Sequence, residues 1–173
     1  MNKIKLIFAV MVVVVINACQ NSSQPESDAN NTVYSTSFEK ESDISGWSGV
    51  SKENLTNISC PGGKHFSLNI SGGCVQPAAS YEIPVVQSGK YKLSFWAKMG
   101  QTSQSAILYL KQAESSSFPD SVYAQVTDTT WKYYETRKSL NINSPSKLKI
   151  EVIVGGIKFA NVFIDNLMVM KTK

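Results

Sequence analysis

The residues best suited to binding chemistry lie in one strand-like segment, Lys90 to Lys98, whose side chains alternate between two faces. The apolar face carries Tyr91, Leu93, Phe95 and Ala97, and the other face carries Lys92, Ser94, Trp96 and Lys98. An indole ring beside ammonium and hydroxyl groups can stack on a flat ligand while its neighbours form hydrogen bonds. The same ring could instead pack in the core or against a neighbouring strand, and both readings of Trp96 stay open.

Catalytic motifs are not found in the sequence. Glutamates and aspartates are present, but no recognisable motif pairs two of them for glycoside hydrolysis. His65 is the single histidine, and no Gly-x-Ser-x-Gly elbow accompanies it. Phosphate-binding and dinucleotide-binding fingerprints are also missing. We therefore expect a protein that is not an enzyme.

The N-terminus has the pattern of an export signal. Lys3 and Lys5 precede the apolar run 6–16, which is too short to span a membrane, and Cys19 follows a small residue. The segment resembles the lipobox of bacterial lipoproteins, which implies a lipid on Cys19, although Asn17 departs from that pattern and an ordinary signal peptide is the alternative. Gln20 after the cysteine favours the outer membrane. Residues 1–18 are then a signal peptide, 19–31 a flexible tether without large apolar side chains, and 32–173 the folded domain.

Two further cysteines, Cys60 and Cys74, enclose a segment with turn residues at both ends and a strand-like run, His65 to Ile70, between them. An exported protein meets oxidising conditions. If the chain reverses direction within this segment, the two cysteines approach each other, and we expect a Cys60–Cys74 disulfide. Two free thiols are the alternative, and a metal pair with His65 would lack a fourth ligand.

Charge and size narrow the class of protein further. The net charge is +4, of which Lys3 and Lys5 contribute 2, so the mature chain carries 4 − 2 = +2. This charge is too small to indicate a nucleic-acid partner. The segment from Thr32 to Lys173 has the length of one domain with its own core.

Period-two alternation runs through most of that domain. The predicted strands are Thr32–Phe38, His65–Ile70, Ser80–Val86, Lys90–Lys98, Ser105–Lys111, Val122–Thr127, Trp131–Leu140, Lys147–Val154 and Asn161–Met170. They are separated by Gly-, Ser-, Asn- and Pro-containing turns, and no segment of helical length shows a 3.6-residue period. The pattern predicts an all-β sandwich or barrel, with a bulge near Asp165 where the last strand changes phase.

The order of several motifs carries a resemblance: Phe38-Glu39, Gly46-Trp47, HFSLNI, SGKYKLSFWAK, TTWKYYE, LKIEV and finally VFIDNLMV. This series resembles the galactose-binding-like jelly-roll β-sandwich of carbohydrate-binding modules four, nine and twenty-two, over nearly all of residues 33–169. The resemblance implies a non-catalytic glycan or polysaccharide partner. It also implies packing roles for Trp47 and for an inward-facing Trp131. The fold alone leaves a protein-binding or structural surface lipoprotein as the alternative.

The resemblance also implies site residues. A glycan site would draw on Trp96, Tyr109, Tyr134, Lys98, Gln76 and His65. For any one of the aromatics a packing role remains the alternative. A structural Ca²⁺ would be held by Glu39 and Asp165, because calcium takes several oxygen ligands, but both could instead be ordinary surface carboxylates.

Overall fold

A computed structural model describes residues 31–72, 77–114, 120–155 and 160–173 of the chain. Its strands are β1 (Thr32–Thr36), β2 (Trp47–Ser48), β3 (Leu55–Thr56), β4 (Ser67–Gly72), β5 (Ala79–Val86), β6 (Gly89–Met99), β7 (Ser105–Gln112), β8 (Ser121–Val126), β9 (Lys132–Glu135), β10 (Leu140–Ile142), β11 (Ser146–Gly155) and β12 (Ala160–Thr172). Two short 3-10 helices, Glu41–Ile44 and Lys52–Asn54, lie between the first strands. The predicted all-β architecture is confirmed.

The strands form two antiparallel sheets that pack as a sandwich. In the seven-stranded front sheet the order is β10-β6-β12-β4-β3, with β9 also paired to β6 and β1 also paired to β12. In the five-stranded back sheet the order is β2-β5-β11-β7-β8. The strand order alternates between distant parts of the chain, so each sheet joins segments that are far apart in sequence. This arrangement is the jelly-roll sandwich that the resemblance implied.

The core lies between the sheets and is filled by the apolar phase of each strand. In β6 the residues Tyr91, Leu93 and Phe95 are at most 1% exposed, as the alternation predicts. In β7 the buried phase is Ala106, Leu108 and Leu110. The predicted strand over residues 131–140 is two strands instead, because the chain turns between them at the exposed Arg137 and Lys138.

The predicted bulge in the last strand is present. The pairing of β12 with β6 shifts between Asp165 and Met168, and Asn166 has a φ of 45°. Because of this extra residue, Asp165 and Met168 both face away from the core, while Ile164, Leu167 and Val169 are completely buried.

Trp47 packs at the edge of the sandwich, as expected from the resemblance. Its ring is 6% exposed and lies edge-on to Phe38 and tilted against Tyr81. Tyr34 stacks on Tyr81 with ring centroids 4.4 Å apart and accepts a hydrogen bond from Trp47 Nε1 at 3.1 Å. This aromatic cluster joins β1 of the front sheet to β2 and β5 of the back sheet.

The predicted Cys60–Cys74 disulfide is wrong for this structure, because Cys60 is a free, buried thiol. Cys60 lies beside Asp165, whereas Gly72, the last described residue before Cys74, pairs with Ala160 at the other end of β4. The described residues between the cysteines, 61–72, thus contribute a single strand, β4, and a strand of this length separates its ends by about 16 Å. Cys74 itself lies outside the described residues.

The predictions for the signal peptide, the lipidated Cys19 and the tether concern residues 1–30, which lie outside the described part. Among the residues that the structure describes, no helix has the length and apolar character needed to cross a membrane.

Candidate functional site

The front face is defined here as the side of the front sheet that faces away from the core. Its centre is a row of side chains on neighbouring strands, in which Trp96 of β6 lies opposite both Tyr133 of β9 and Asp165 of β12. In the next row Lys98 lies opposite Phe163. Phe163 in turn lies opposite Asn69 of β4. The front face therefore combines aromatic rings with groups that form hydrogen bonds.

Trp96 lies on this face, as its alternation predicts, but it is not an open platform. The side chain is only 5% exposed. Its ring meets Tyr133 edge to face, with centroids 6.0 Å apart. On its other side lies Asp165, which is completely buried under the backbone of Cys60. Trp96 therefore contributes to the packing of the front face and leaves little ring surface for a ligand.

The accessible aromatic surface lies one row further along, around Lys98. The Lys98 ammonium is 5.5 Å from the centroid of the Trp131 ring and 5.1 Å from that of Phe163. All three side chains are partly exposed. Cation–π attraction therefore holds a charged donor between two rings on the surface.

The phase of the strand beginning at Trp131 is opposite to the one that the resemblance implied. Trp131 contacts Lys98 on the front face and Tyr133 lies opposite Trp96, so this set of side chains faces outward. Tyr134 consequently points inward, stacks on Phe95 at 5.7 Å and donates a hydrogen bond to Asp128 Oδ2. The prediction that Tyr134 lines a glycan site on this face is wrong, because the ring packs against the core.

The other predicted ligand residues do not join this face. Tyr109 lies on the outer side of the back sheet, opposite Tyr123, with ring centroids 5.7 Å apart. His65 is exposed in the loop before β4, where its backbone N–H donates to the Glu39 carboxylate. Gln76 lies outside the described residues. Of the five candidates that the structure describes, it brings only Trp96 and Lys98 together.

Polar groups surround the aromatic rings. Asn161 Nδ2 donates to Asn69 Oδ1 at 3.0 Å, and Asn54 Nδ2 donates to the Asn69 carbonyl at 2.8 Å, which fixes the amide beside Phe163. Closer to the start of β6 than Lys98, the hydroxyls of Ser94 and of the neighbouring Tyr133 are buried without a well-aligned hydrogen bond among the described residues. Burial raises the pKa of the Tyr133 phenol, although the nearby Ser94 hydroxyl opposes the rise. The phenol is therefore neutral and keeps its proton as a donor.

The carboxylates of the front face form ion pairs and hydrogen bonds with other groups of the protein. Glu135 forms an ion pair with Lys92. Asp165 accepts backbone hydrogen bonds from Cys60 at 3.0 Å and from Asn166 at 2.7 Å. Burial, with a smaller contribution from the charge of Glu39, raises the pKa of Asp165 against the effect of those hydrogen bonds. Glu39 and Asp165 thus flank the same segment of chain, residues 60–65.

Comparison with known protein families identifies the family to which the chain belongs. The model of a family described as a carbohydrate binding domain matches residues 30–160, which is more than half of the chain. This chain belongs to that family of carbohydrate-binding domains. No curated protein matches the chain.

Solved structures share the fold of this carbohydrate-binding domain at low sequence identity. It is 17% identical to the xylan-binding CBM22-1 domain of Paenibacillus barcinonensis Xyn10C, with a TM-score of 0.59, and the alignment covers 83% of this chain and 96% of that one. It is 20% identical to TmCBM61, solved with β-1,4-galactotriose, with a TM-score of 0.56 over 79% of this chain and 94% of that one. The K3 adhesin domain of Porphyromonas gingivalis Lys-gingipain is 14% identical, with a TM-score of 0.52 over 81% and 99% of the two chains.

Sequence reasoning missed two residues of the aromatic surface of this carbohydrate-binding domain. Phe163 lies between Val162 and Ile164 and so has the opposite phase to two core residues, which is a signal for an outward ring. Trp131 shares the phase of Glu135, whose charge is costly to bury, and this also indicates an outward face. Both signals are present in the sequence. The family resemblance, however, implied an inward-facing Trp131, and this implication was preferred to the signal from Glu135.

Proposed function

We propose that this domain binds a polysaccharide chain on the front face, at the surface formed by Trp131, Lys98 and Phe163. The observation that carries the proposal is the position of the Lys98 ammonium between the two rings. A pyranose or furanose ring presents C–H groups that stack on an aromatic face and hydroxyls that need hydrogen-bond partners. The two rings supply the stacking surface, while Lys98 and the amide of Asn69 supply polar partners.

The binding is proposed to be non-catalytic. Hydrolysis of a glycosidic bond uses two carboxyl groups on either side of the bond, one of them an acid or base that is free to exchange a proton. Glu135 is bound to Lys92, and Asp165 is buried beneath the Cys60 backbone. Neither carboxylate is placed to act on a sugar lying across Trp131 and Phe163.

The substrate class is proposed from the comparisons together with the surface. One similar module was solved with β-1,4-galactotriose and another is described as xylan-binding. β-1,4-Galactotriose and the backbone of xylan are both neutral, β-linked chains. Such a chain suits a face on which Lys98 is held by aromatic rings and Lys92 is neutralised by Glu135.

A structural Ca²⁺ remains a proposal that the donor chemistry supports. Glu39 and Asp165 converge on residues 60–65, and the Glu39 charge contributes to the raised pKa of Asp165. A bound cation would relieve that repulsion. The described residues contain no cluster of three His, Cys, Asp or Glu side chains, so backbone carbonyls would complete the 6–8 oxygen ligands. The ion would then stabilise the loop that covers Asp165.

We further propose that the domain is held in the cell envelope by a lipid on Cys19, with residues 20–31 as the tether and the outer membrane as the location. The support is the sequence pattern around Cys19. Incorporation of a clickable palmitate analogue in the wild-type chain, and its loss in Cys19→Ser, would test this anchor.

The glycan proposal is tested by titration calorimetry of the full-length chain in mild detergent against xylohexaose and β-1,4-galactotriose. We expect saturable binding of at least one probe, and a loss of about tenfold or more in affinity for Trp131→Ala and for Phe163→Ala. Tyr123→Ala removes an exposed ring from the back sheet and should leave affinity unchanged.

Absence of binding to either probe by a folded wild-type chain would favour the alternative, a protein partner for a surface lipoprotein. Equal losses in Trp131→Ala and Tyr123→Ala would contradict the assignment of the front face.

A further inference from the structure

A second cleft lies at the edge of the sandwich, away from Trp131 and Phe163. It has a volume of about 660 Å³ and is bordered by β1, the loop after β1, Lys64, Tyr81 and the bulge of β12. This volume lies within the range of about 300–1,000 Å³ that small-molecule sites usually have. Along β12 the cleft begins at Asn166, on the other side of Asp165 from Phe163.

The charges around the cleft are balanced. Its acidic side chains are Glu39 and Asp43, and its basic side chains are Lys40 and Lys64. Serine and threonine hydroxyls contribute much of the remaining lining: Ser35, Thr36, Ser37, Ser42 and Ser45. Such a lining offers many hydrogen bonds without a net charge, so it suits a neutral, hydroxyl-rich ligand better than an anion or a cation.

One wall of the cleft contains an aromatic surface. Tyr34 and Tyr81 both line it, and their rings stack at 4.4 Å with an angle of 26°. Tyr34 Oη accepts the Trp47 Nε1 hydrogen bond, and burial raises the pKa of Tyr34 to about 12. The phenol therefore keeps its proton at physiological pH. Aromatic carbon beside protonated hydroxyls is the combination that recognises a sugar ring.

The shape of the cleft is set before any ligand arrives. Glu39 N–H donates to Asp43 Oδ2 at 2.9 Å, and Phe38 N–H donates to Thr36 Oγ1 at 3.3 Å, so the loop after β1 is tied to itself. Phe38 in this loop adopts a positive φ of 55°, which is costly for a bulky side chain. Backbone strain that the surrounding structure holds in place is found at many binding sites.

We propose that this cleft is a second saccharide site, which takes a short neutral oligosaccharide segment and acts independently of the front face. The cleft lies at one edge of the sandwich and suits a chain end or a branch, whereas the front face suits the interior of a longer chain. The two sites together would let one domain hold a polysaccharide at two points and so increase its avidity.

The test separates the two sites. A front-face variant, Trp131→Ala with Phe163→Ala, is prepared as ¹⁵N-labelled full-length chain in detergent and saturating Ca²⁺, and amide shifts are followed during titration with β-1,4-galactotriose and with xylohexaose. We expect saturable shifts at Thr36, Ser45 and Asn166. Adding Ser42→Trp, which places a large side chain at the cleft, should weaken this binding about tenfold or more.

Ser144→Trp is the matched control, because Ser144 is also exposed but lies in the turn between β10 and β11. It should leave the shifts unchanged. The proposal is overturned if the front-face variant shows no saturable shifts with either probe, or if Ser42→Trp and Ser144→Trp weaken binding equally. Comparable binding of trigalacturonic acid would overturn the preference for neutral ligands.

The wild-type titration distinguishes failure of this proposal from failure of the front-face proposal. If wild type binds and the front-face variant does not, only the second site is refuted. If the cleft amides shift equally in both proteins and no front-face amide responds, only the front-face site is refuted.

Discussion

Trp96 and Tyr133 lie directly opposite each other on β6 and β9, and their rings meet edge to face with centroids 6.0 Å apart. Neither side chain belongs to the core between the sheets. The buried Trp96 and the partly buried Tyr133 form an aromatic layer on the outside of the front sheet, next to Trp131 and Phe163. Two tryptophans on one face therefore have different roles. Trp96 packs within the protein, and Trp131 is available to contact a ligand.

The two roles predict different consequences for two tryptophan variants. Trp96→Ala should lower the free energy of unfolding by about 3–5 kcal/mol, because it empties a nearly buried site. Trp131→Ala should cost about 1 kcal/mol or less in stability, because its ring is partly exposed, while it weakens saccharide binding at the front face about tenfold or more. Urea unfolding and calorimetry on both variants check this. A stable Trp96→Ala chain that has lost binding would instead support Trp96 as a direct platform.

Cys60 is predicted to be chemically inert in the folded chain. Burial, followed by the charge of Asp165 and a hydrogen bond with it, raises the thiol pKa to about 12. The thiolate is the reactive form, and it is scarce at any pH below that value. We expect iodoacetamide to label Cys60 at pH 8 only after unfolding, as read by peptide mass spectrometry. Recovery of a Cys60–Cys74 cross-linked peptide from the native protein would restore the disulfide prediction.

Glu151 should make a pH-dependent contribution to stability. It is buried on the outer side of the back sheet and pairs with Lys111 at 2.9 Å and Lys149 at 3.1 Å. Burial alone would raise its pKa, but the two lysines together lower it below the ordinary value of 4.5. The stabilisation is therefore present above pH 4.5 and is lost as the pH falls through the lowered pKa of the folded state.

The variant Glu151→Gln should consequently be less stable than wild type at pH 7, and the difference should shrink by pH 3. Chemical unfolding across this range measures it, with Glu82→Gln as the control, because Glu82 is an exposed residue on the neighbouring β5. A difference that stays constant with pH would mean that the ion pairs contribute nothing.

Calcium should stabilise the chain if Glu39 and Asp165 hold it. An ion present at about one hundred times its Kd adds about 2.7 kcal/mol to the stability of the state that binds it. We expect Tm to rise by about 5 °C or more between chelator and millimolar Ca²⁺. The rise should be much reduced in Glu39→Gln and retained in Glu82→Gln. A Tm that does not respond to Ca²⁺ in wild type would refute the calcium proposal.

The sequence predicted the strands well, because each has one buried and one outward phase. The alternating apolar residues Tyr91, Leu93 and Phe95 predict the inner side of β6, and the phase change near Asp165 predicts the bulge. It predicted the contacts of the candidate site less well. Alternation places Trp96 on the outer side of a strand, but it does not say which side chains from other strands or loops will cover it.

Local pattern thus determined the all-β class, most strand boundaries, the inward phase of β6 and β7 and the outward phase of Lys98. Pairing between distant strands decided the rest. It placed Tyr133 and Asp165 beside Trp96 and brought Phe163 and Trp131 to Lys98. It also placed Tyr109 on the opposite sheet and separated Cys60 from the far end of β4. The reason is physical: side-chain alternation is a property of a single strand, whereas exposure and proximity depend on which other strands become its neighbours.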